Sequence, residues 1–264
     1  MREELLDYST IAVTNDGPIR TILLNRPERR NAMTPLMQKE LVTAFEDAAA
    51  SAARVLILAG AGPAFCAGLD LTALEQMRGA SELDHRADAE RIARLFLALH
   101  ELPIPTIAAV HGPAIAGGCG LAAICDFTLA TPSAKFGFTE VRIGFVPALV
   151  SAFLSLQIGD KKSRDLLLTG RIFDAVEAHN LGLVNEVVPE PRLQEHVAAL
   201  AQALVANSPR SLAATKQLMA EQHKPWLDKA IIAAIDANTD ARMTNDFSEG
   251  IAAFLEKRKP SWSK

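Results

Sequence analysis

The chain has 264 residues, 49% hydrophobic and 22% charged, a composition that excludes disordered and fibrous classes. That length buries most of the unfolded surface in one large domain, or a domain with an appended helical piece, without a disulfide or metal staple. A formal net charge of −4 gives no global attraction to nucleic acid or to an anionic membrane.

In chain order, residues 10–13 and 20–24 are β-rich runs flanking Asn15-Asp16-Gly17, which predicts an opening hairpin. Thr34-Pro35 predicts a helix start, with threonine as N-cap and proline at the first helical position. Leu36, Leu41, Val42, Phe45 and Ala49 then follow helical spacing. Residues 55–59 are a buried strand ending at a glycine-proline loop, and residues 83–102 form an amphipathic helix. A strand over 106–110, a glycine-rich turn, a small-residue helix through 121–124 and a strand over 127–130 follow. This alternation up to about residue 190 predicts an α/β architecture with much parallel sheet. Residues 190–257 show no strand pattern: Ser208-Pro209 opens one helix and Lys224-Pro225 punctuates the next. The reading is a core over 1–195 and a helical subdomain over 196–264.

Cys66, Cys119 and Cys125 are odd in number and lack metal-ligand spacing, which suits a reducing, cytoplasmic compartment. Residues 1–8 are acidic without the apolar core of a signal peptide, and the apolar run 121–130 is interrupted by Asp126 and too short to span a bilayer.

Three segments carry chemistry. Ala64-Phe65-Cys66-Ala67-Gly68-Leu69-Asp70-Leu71 runs from a strand through small residues into a helix, where a turn aims a free N–H into a cleft or simply joins the two elements. Val110-His111-Gly112-Pro113-Ala114-Ile115-Ala116-Gly117-Gly118-Cys119-Gly120-Leu121 also passes through glycines to a helix start, where partnerless N–H groups favour an anionic oxygen. It matches neither the lysine-serine phosphate loop nor the dinucleotide fingerprint. In Phe136-Gly137-Phe138-Thr139-Glu140-Val141-Arg142, Glu140 stands among apolar residues that would raise its pKa by desolvation; exposure, or pairing with Arg142, is the alternative. Asp70 reads as a helix-start charge, Asp126 as structural, His111 as hydrogen-bonded, and Cys66 and Cys119 as packing residues.

Together these segments, with Asn25-Arg26-Pro27-Glu28-Arg29-Arg30-Asn31-Ala32-Met33 and the block over 250–259, resemble the crotonase superfamily, the enoyl-CoA hydratase/isomerase family, along nearly the whole chain. The run from Thr139 to Gly144 and through Pro147-Ala148 looks like bacterial methylglutaconyl-CoA hydratase-like members. The resemblance implies an α/β crotonase (ClpP/crotonase-like) fold of stacked ββα units with a C-terminal helical region for oligomerisation and for covering the CoA site. It implies an acyl-CoA substrate, no permanently bound cofactor, no metal, and a homotrimer or dimer of trimers. The family's oxyanion-hole donors match the N–H groups of Leu69 and Gly117, each worth about 3 kcal/mol of barrier in comparable sites. CoA contacts map to Arg26, Arg29, Arg30, Met33, Ala67, Gly68, Leu69, Asp70, Phe254 and Lys257.

Typical hydratases use two glutamates. Glu140 matches the second, but Gly120 stands where the first would be. Two expectations follow: a hydratase in which Glu140 alone handles water and proton, with Gly120 leaving room for a branched or carboxylated chain, or a Δ3,Δ2-enoyl-CoA isomerase in which Glu140 shuttles one proton. A member that binds CoA or RNA without turnover is the third, lesser reading. Ala148, in place of a glycine whose N–H commonly holds the water, keeps that N–H.

Overall fold

The computed structural model describes residues 8–262; the acidic start, apart from Tyr8, lies outside them. Strands β1 (Ile11–Asp16) and β2 (Ile19–Leu24) form the expected hairpin, with Gly17 at φ 56° in its turn. Helix α1 (Pro35–Ala50) is capped by Thr34, whose side chain accepts from the Met37 N–H. Its buried face is Met37, Leu41, Ala44, Phe45 and Ala48. Leu36, expected inside, is 49% exposed, and Ala49 is exposed too. Leu41, Val42 and Phe45 are buried as expected, so the stripe differs only at its two ends.

Strand β3 (Val55–Gly60) leads to the short helix α2 (Leu71–Gln76) and to α3 (Glu82–His100), closed at its start by a Ser81/Asp84 capping box. Next come β4 (Thr106–Val110), β5 (Ala114–Ile115), α4 (Gly117–Ile124), β6 (Phe127–Ala130) and β7 (Lys135–Gly137). Helices α5 (Ala148–Ile158) and α6 (Asp160–Thr169), strand β8 (Ile172–Asp174), helix α7 (Ala175–Leu181) and strand β9 (Glu186–Val187) complete the mixed part. Helices α8 (Leu193–Val205), α9 (Pro209–Arg242) and α10 (Asn245–Leu255) end the chain.

Six strands make the main sheet in the order β1-β2-β3-β4-β6-β9, parallel from β2 onward; β5, β7 and β8 form a second small sheet. Alternation along the parallel strands sorts the core into two faces. Ile22, Leu24, Leu56, Leu58, Ala108 and Val110 face α1, α3, α4 and α5. Ile19, Val55, Ile57, Ile107 and Leu129 face α8 through Leu193, Val197, Ala201 and Leu204.

The boundary expected at 195/196 falls within α8, the covering layer of the sheet's second face. The expectation for Pro225 needs correction: it does not divide two helices but lies inside α9, a single helix of 34 residues. Proline there deprives the Glu221 carbonyl of its helical partner, at a place where residues 221–226 are all exposed. The second half of α9 returns to the core through Leu227, Ile231 and Ala234. No helix among the described residues is long and apolar enough to cross a membrane.

Candidate active site

The two glycine turns are stitched together by backbone. The Cys66 N–H donates to the Pro113 carbonyl at 3.1 Å and the Ile115 N–H donates to the Cys66 carbonyl at 2.9 Å, making an isolated parallel bridge between Cys66 and Ala114. The chain then turns at Gly68, with φ 90°, a region open to glycine and costly elsewhere. A Cβ on Gly68 would stand 2.9 Å from the Ala116 Cβ and the Ile115 carbonyl, and 3.4 Å from the Gly117 nitrogen. Only glycine lets the turns touch. Ala116 itself is held at φ 51°, ψ −125°, a strained conformation of about 1–3 kcal/mol that clusters at functional sites; its own N–H is tied to the Gly137 carbonyl at 2.7 Å.

Among the described residues, no hydrogen bond engages the N–H of Gly117 or of Leu69. Gly117 is the first residue of α4, where N–H groups have no intrahelical partner and carry the positive end of the helix dipole. Leu69 lies between the Met33 N–H to Gly68 carbonyl bond and the Asp70 N–H to Met33 carbonyl bond, and its own N–H enters neither. Leu69 and Gly117 both line a cavity of about 140 Å³.

Glu140 lines the same cavity. It opens a 3-10 turn, Glu140–Ile143, that closes on Gly144 at φ 64°. Helix α10 clamps this turn: a Cβ on Gly144 would lie 2.2 Å from the Asp246 carbonyl, and one on Gly250 2.2 Å from the Ile143 carbonyl. Phe145 packs on Phe247 with ring centroids 4.9 Å apart. Glu140 is thus 8% exposed and its Oε2 has no hydrogen-bond partner among the described residues. Burial pushes its carboxyl from 4.5 up to about 7, offset only in part by its own backbone N–H. Arg142 does not pair with it. The carboxylate is therefore poised to take or give a proton near neutral pH.

Gly120 holds no open space, which corrects the expectation of room for a branched chain. A Cβ there would meet Val150 Cγ1 at 2.6 Å and Phe96 Cζ at 3.2 Å. The position is filled by the core, and among the described residues Glu140 is the cavity's one carboxylate.

The residues matched to CoA contacts divide. Ala67 and Leu69 line the cavity, and so does Phe254, 59% exposed and supplied by the chain's own α10. Gly68 acts through its turn. Arg29, Arg30 and Lys257 are exposed cations. Arg26 donates to the Ala32 carbonyl and pairs with Asp70 at 3.1 Å, while Asp70 caps α2 by accepting from the Thr72 N–H. The Met33 side chain is 1% exposed and lies beneath Gly117, where it supports the second turn. The bland readings of four other residues stand. His111 Nε2 bonds the Gly62 carbonyl, and Asp126 accepts from Thr106 and pairs with Lys216. Burial pushes the Cys66 thiol up to about 12 and the Cys119 thiol higher still, so neither is a nucleophile.

Sequence reasoning passed over four contributing residues. Asn31, fully buried at φ 55°, donates from Nδ2 to the Ala61, Ala64 and Phe65 carbonyls and so pins the first turn. The Gly144 and Gly250 contacts fix the Glu140 turn. Asn238, on α9, lines the cavity. Its signal was available, since Leu227, Ile231, Ala234 and Asn238 share one helical stripe in which a polar residue is out of place.

A parallel sheet with a desolvated carboxylate set over two adjoining N–H-bearing turns defines an enzyme of the crotonase class. Residues 14–264 match the model of the family described as Enoyl-CoA hydratase/isomerase. Over 245 residues the chain is 43% identical to a Thermus thermophilus protein provisionally named an enoyl-CoA hydratase, covering 92% of this chain and 97% of that one. It is 33% identical to the crotonyl-CoA hydratase of Syntrophomonas wolfei, covering 97% and 98%. The structure of an enoyl-CoA hydratase/isomerase from Xanthobacter autotrophicus Py2 superposes with a TM-score of 0.89 at 30% identity, over 95% of this chain and 94% of that one. The chain belongs to the enoyl-CoA hydratase/isomerase family, and its fold is the crotonase fold.

Proposed function

We propose that the protein hydrates a 2-enoyl-CoA with Glu140 as its one acid–base group. The observation that carries this reading is the Glu140 carboxylate, buried, unpartnered at Oε2 and raised to about 7 in the cavity that Leu69 and Gly117 line. The thioester oxygen accepts from the Leu69 and Gly117 N–H groups. Glu140 takes a proton from water as the water oxygen bonds C3. The C2–C3 π electrons move toward the thioester, whose oxygen becomes the enolate oxyanion held by the two donors. Glu140 then returns the proton to C2, giving the 3-hydroxyacyl thioester with every atom accounted for. Coenzyme A enters only as part of the substrate, its phosphates meeting Arg29, Arg30 and Lys257.

The absence of a second carboxylate beside the cavity among the described residues favours one alternative. In a Δ3,Δ2-isomerase, Glu140 removes a proton from C2 of a 3-enoyl thioester and returns it to C4 through the same enolate. Following the conjugated enoyl-thioester absorbance separates the readings: loss from crotonyl-CoA marks hydration, gain from a 3-enoyl-CoA marks isomerisation. No change with either, while CoA thioesters still bind, would leave a binding role. Assembly as a trimer or dimer of trimers is supported by Leu218 and Met219, exposed on the first half of α9, and is tested by mass in solution. Three unpaired cysteines support a cytoplasmic setting.

A further inference from the structure

Besides Glu140, one wall of the largely apolar cavity carries a carboxamide. Asn238 is 4% exposed and lines the cavity from α9. Its orientation is fixed: Arg242 Nε donates to its Oδ1 at 2.9 Å, and a guanidinium only donates, so the amide oxygen must face it and Nδ2 must turn away. Arg242 is held in turn by Asp88 at 2.7 Å and lies 5.5 Å over the Phe145 ring. Asp88 also pairs with Arg91, so one carboxylate faces two guanidiniums. Asn238 Nδ2 donates to no protein group among the described residues, yet it is not a sealed atom. It is a preset donor at the cavity wall.

A donor so placed costs binding of any ligand that covers it without an acceptor. Sites built to hydrogen-bond a substrate reject analogues that lack the partner. We propose that Asn238 reads an acceptor oxygen on the acyl chain, so that the preferred substrate is an oxygen-substituted enoyl thioester and not a plain hydrocarbon one. This rests on the reading of the cavity as an acyl-CoA site.

The test uses isosteric saturated thioesters, which need no turnover. Succinyl-, 4-oxopentanoyl- and 4-methylpentanoyl-CoA form one set, and glutaryl-, 5-oxohexanoyl- and 5-methylhexanoyl-CoA a longer one, each bound to the full-length protein in a calorimeter. At one length or the other, an oxygen-bearing member should bind about tenfold or more tightly than its hydrocarbon isostere. Preference for the acid or for the ketone upholds the proposal and says which oxygen is read. Asn238→Leu should collapse the preference, a ratio taken on one preparation and therefore independent of its active fraction. Asn238→Asp keeps the volume and the Arg242 partner but presents no donor, and should turn the acid into the weakest ligand of its set. Equal binding of all three members at both lengths, or a preference that survives both substitutions, would overturn the proposal while leaving the acyl-CoA reading intact. If none of the six binds, both fall together.

Discussion

A Cβ on Gly120 would lie 2.6 Å from Cγ1 of Val150, with the Phe96 ring at 3.2 Å on the same side. The missing carboxylate is therefore a repacked corner of the core, not a vacancy. Gly120→Glu should not confer two-carboxylate hydration. It should destabilise by at least about 1–3 kcal/mol through overpacking, more if the carboxylate enters ionised. Adding Val150→Ala should recover part of that loss in urea unfolding. A single Gly120→Glu variant of parental stability with faster crotonyl-CoA hydration would contradict this.

Glu140→Gln removes the proton carrier and keeps the shape. Turnover should fall by about 10²- to 10⁴-fold, with CoA-thioester binding retained by calorimetry. In the parent, the ionised carboxylate starts either reaction, so kcat/KM should rise with pH through an apparent midpoint near 7, where burial has brought Glu140. A flat profile from pH 5 to 9 would assign the proton transfer to another group.

The same shift affects stability with a definite sign. Below pH 4.5 Glu140 is protonated folded or unfolded and contributes nothing. Between 4.5 and about 7 the unfolded chain ionises while the folded one stays protonated, so stability falls as pH rises. Above 7 the penalty is constant at about 3 kcal/mol. The stability difference between Glu140→Gln and parent should therefore grow in the variant's favour across that window and level off above it, read from denaturant midpoints at fixed m-value.

How legible this was depended on whether the decisive contact lay near in sequence. The hairpin, the Thr34 cap and strands β3, β4 and β6 were readable because turn chemistry and apolar runs are local. The two turns and Glu140 were readable as segments. That the turns touch follows from a bridge between Cys66 and Ala114, 48 residues apart, which no local pattern encodes. Gly120 misled for the same reason: its neighbours Phe96 and Val150 come from α3 and α5. The Arg26–Asp70 pair and the Met33 side chain beneath Gly117 are likewise contacts between segments far apart in sequence.

Gly68→Ala tests the hole without touching the carboxylate. Alanine at φ 90° is strained, and its Cβ would press on Ala116 and Ile115, prising Leu69 from Gly117. Loss of one aligned donor should cost about 10²- to 10³-fold in kcat, with a smaller change in KM. A rise in KM with kcat unchanged would mean that the turn serves ground-state binding only.

The support behind Asn238 gives the last prediction. Arg242, 4% exposed, is pulled down to about 10 by burial and remains charged at neutral pH. It pairs at 2.7 Å with Asp88, which is buried as well. Removing one member leaves charge out of balance in a low-dielectric site, so Arg242→Met should cost about 3–5 kcal/mol. Asp88 would retain Arg91, which places the loss toward the lower end. Replacing both, Asp88→Leu with Arg242→Met, should be milder than the sum of the singles, because neither charge then remains for the other to solvate, and Arg91, a quarter exposed, can turn to water. Unfolding free energies of the four proteins measure the coupling. A coupling near zero would mean that the two charges are solvated independently.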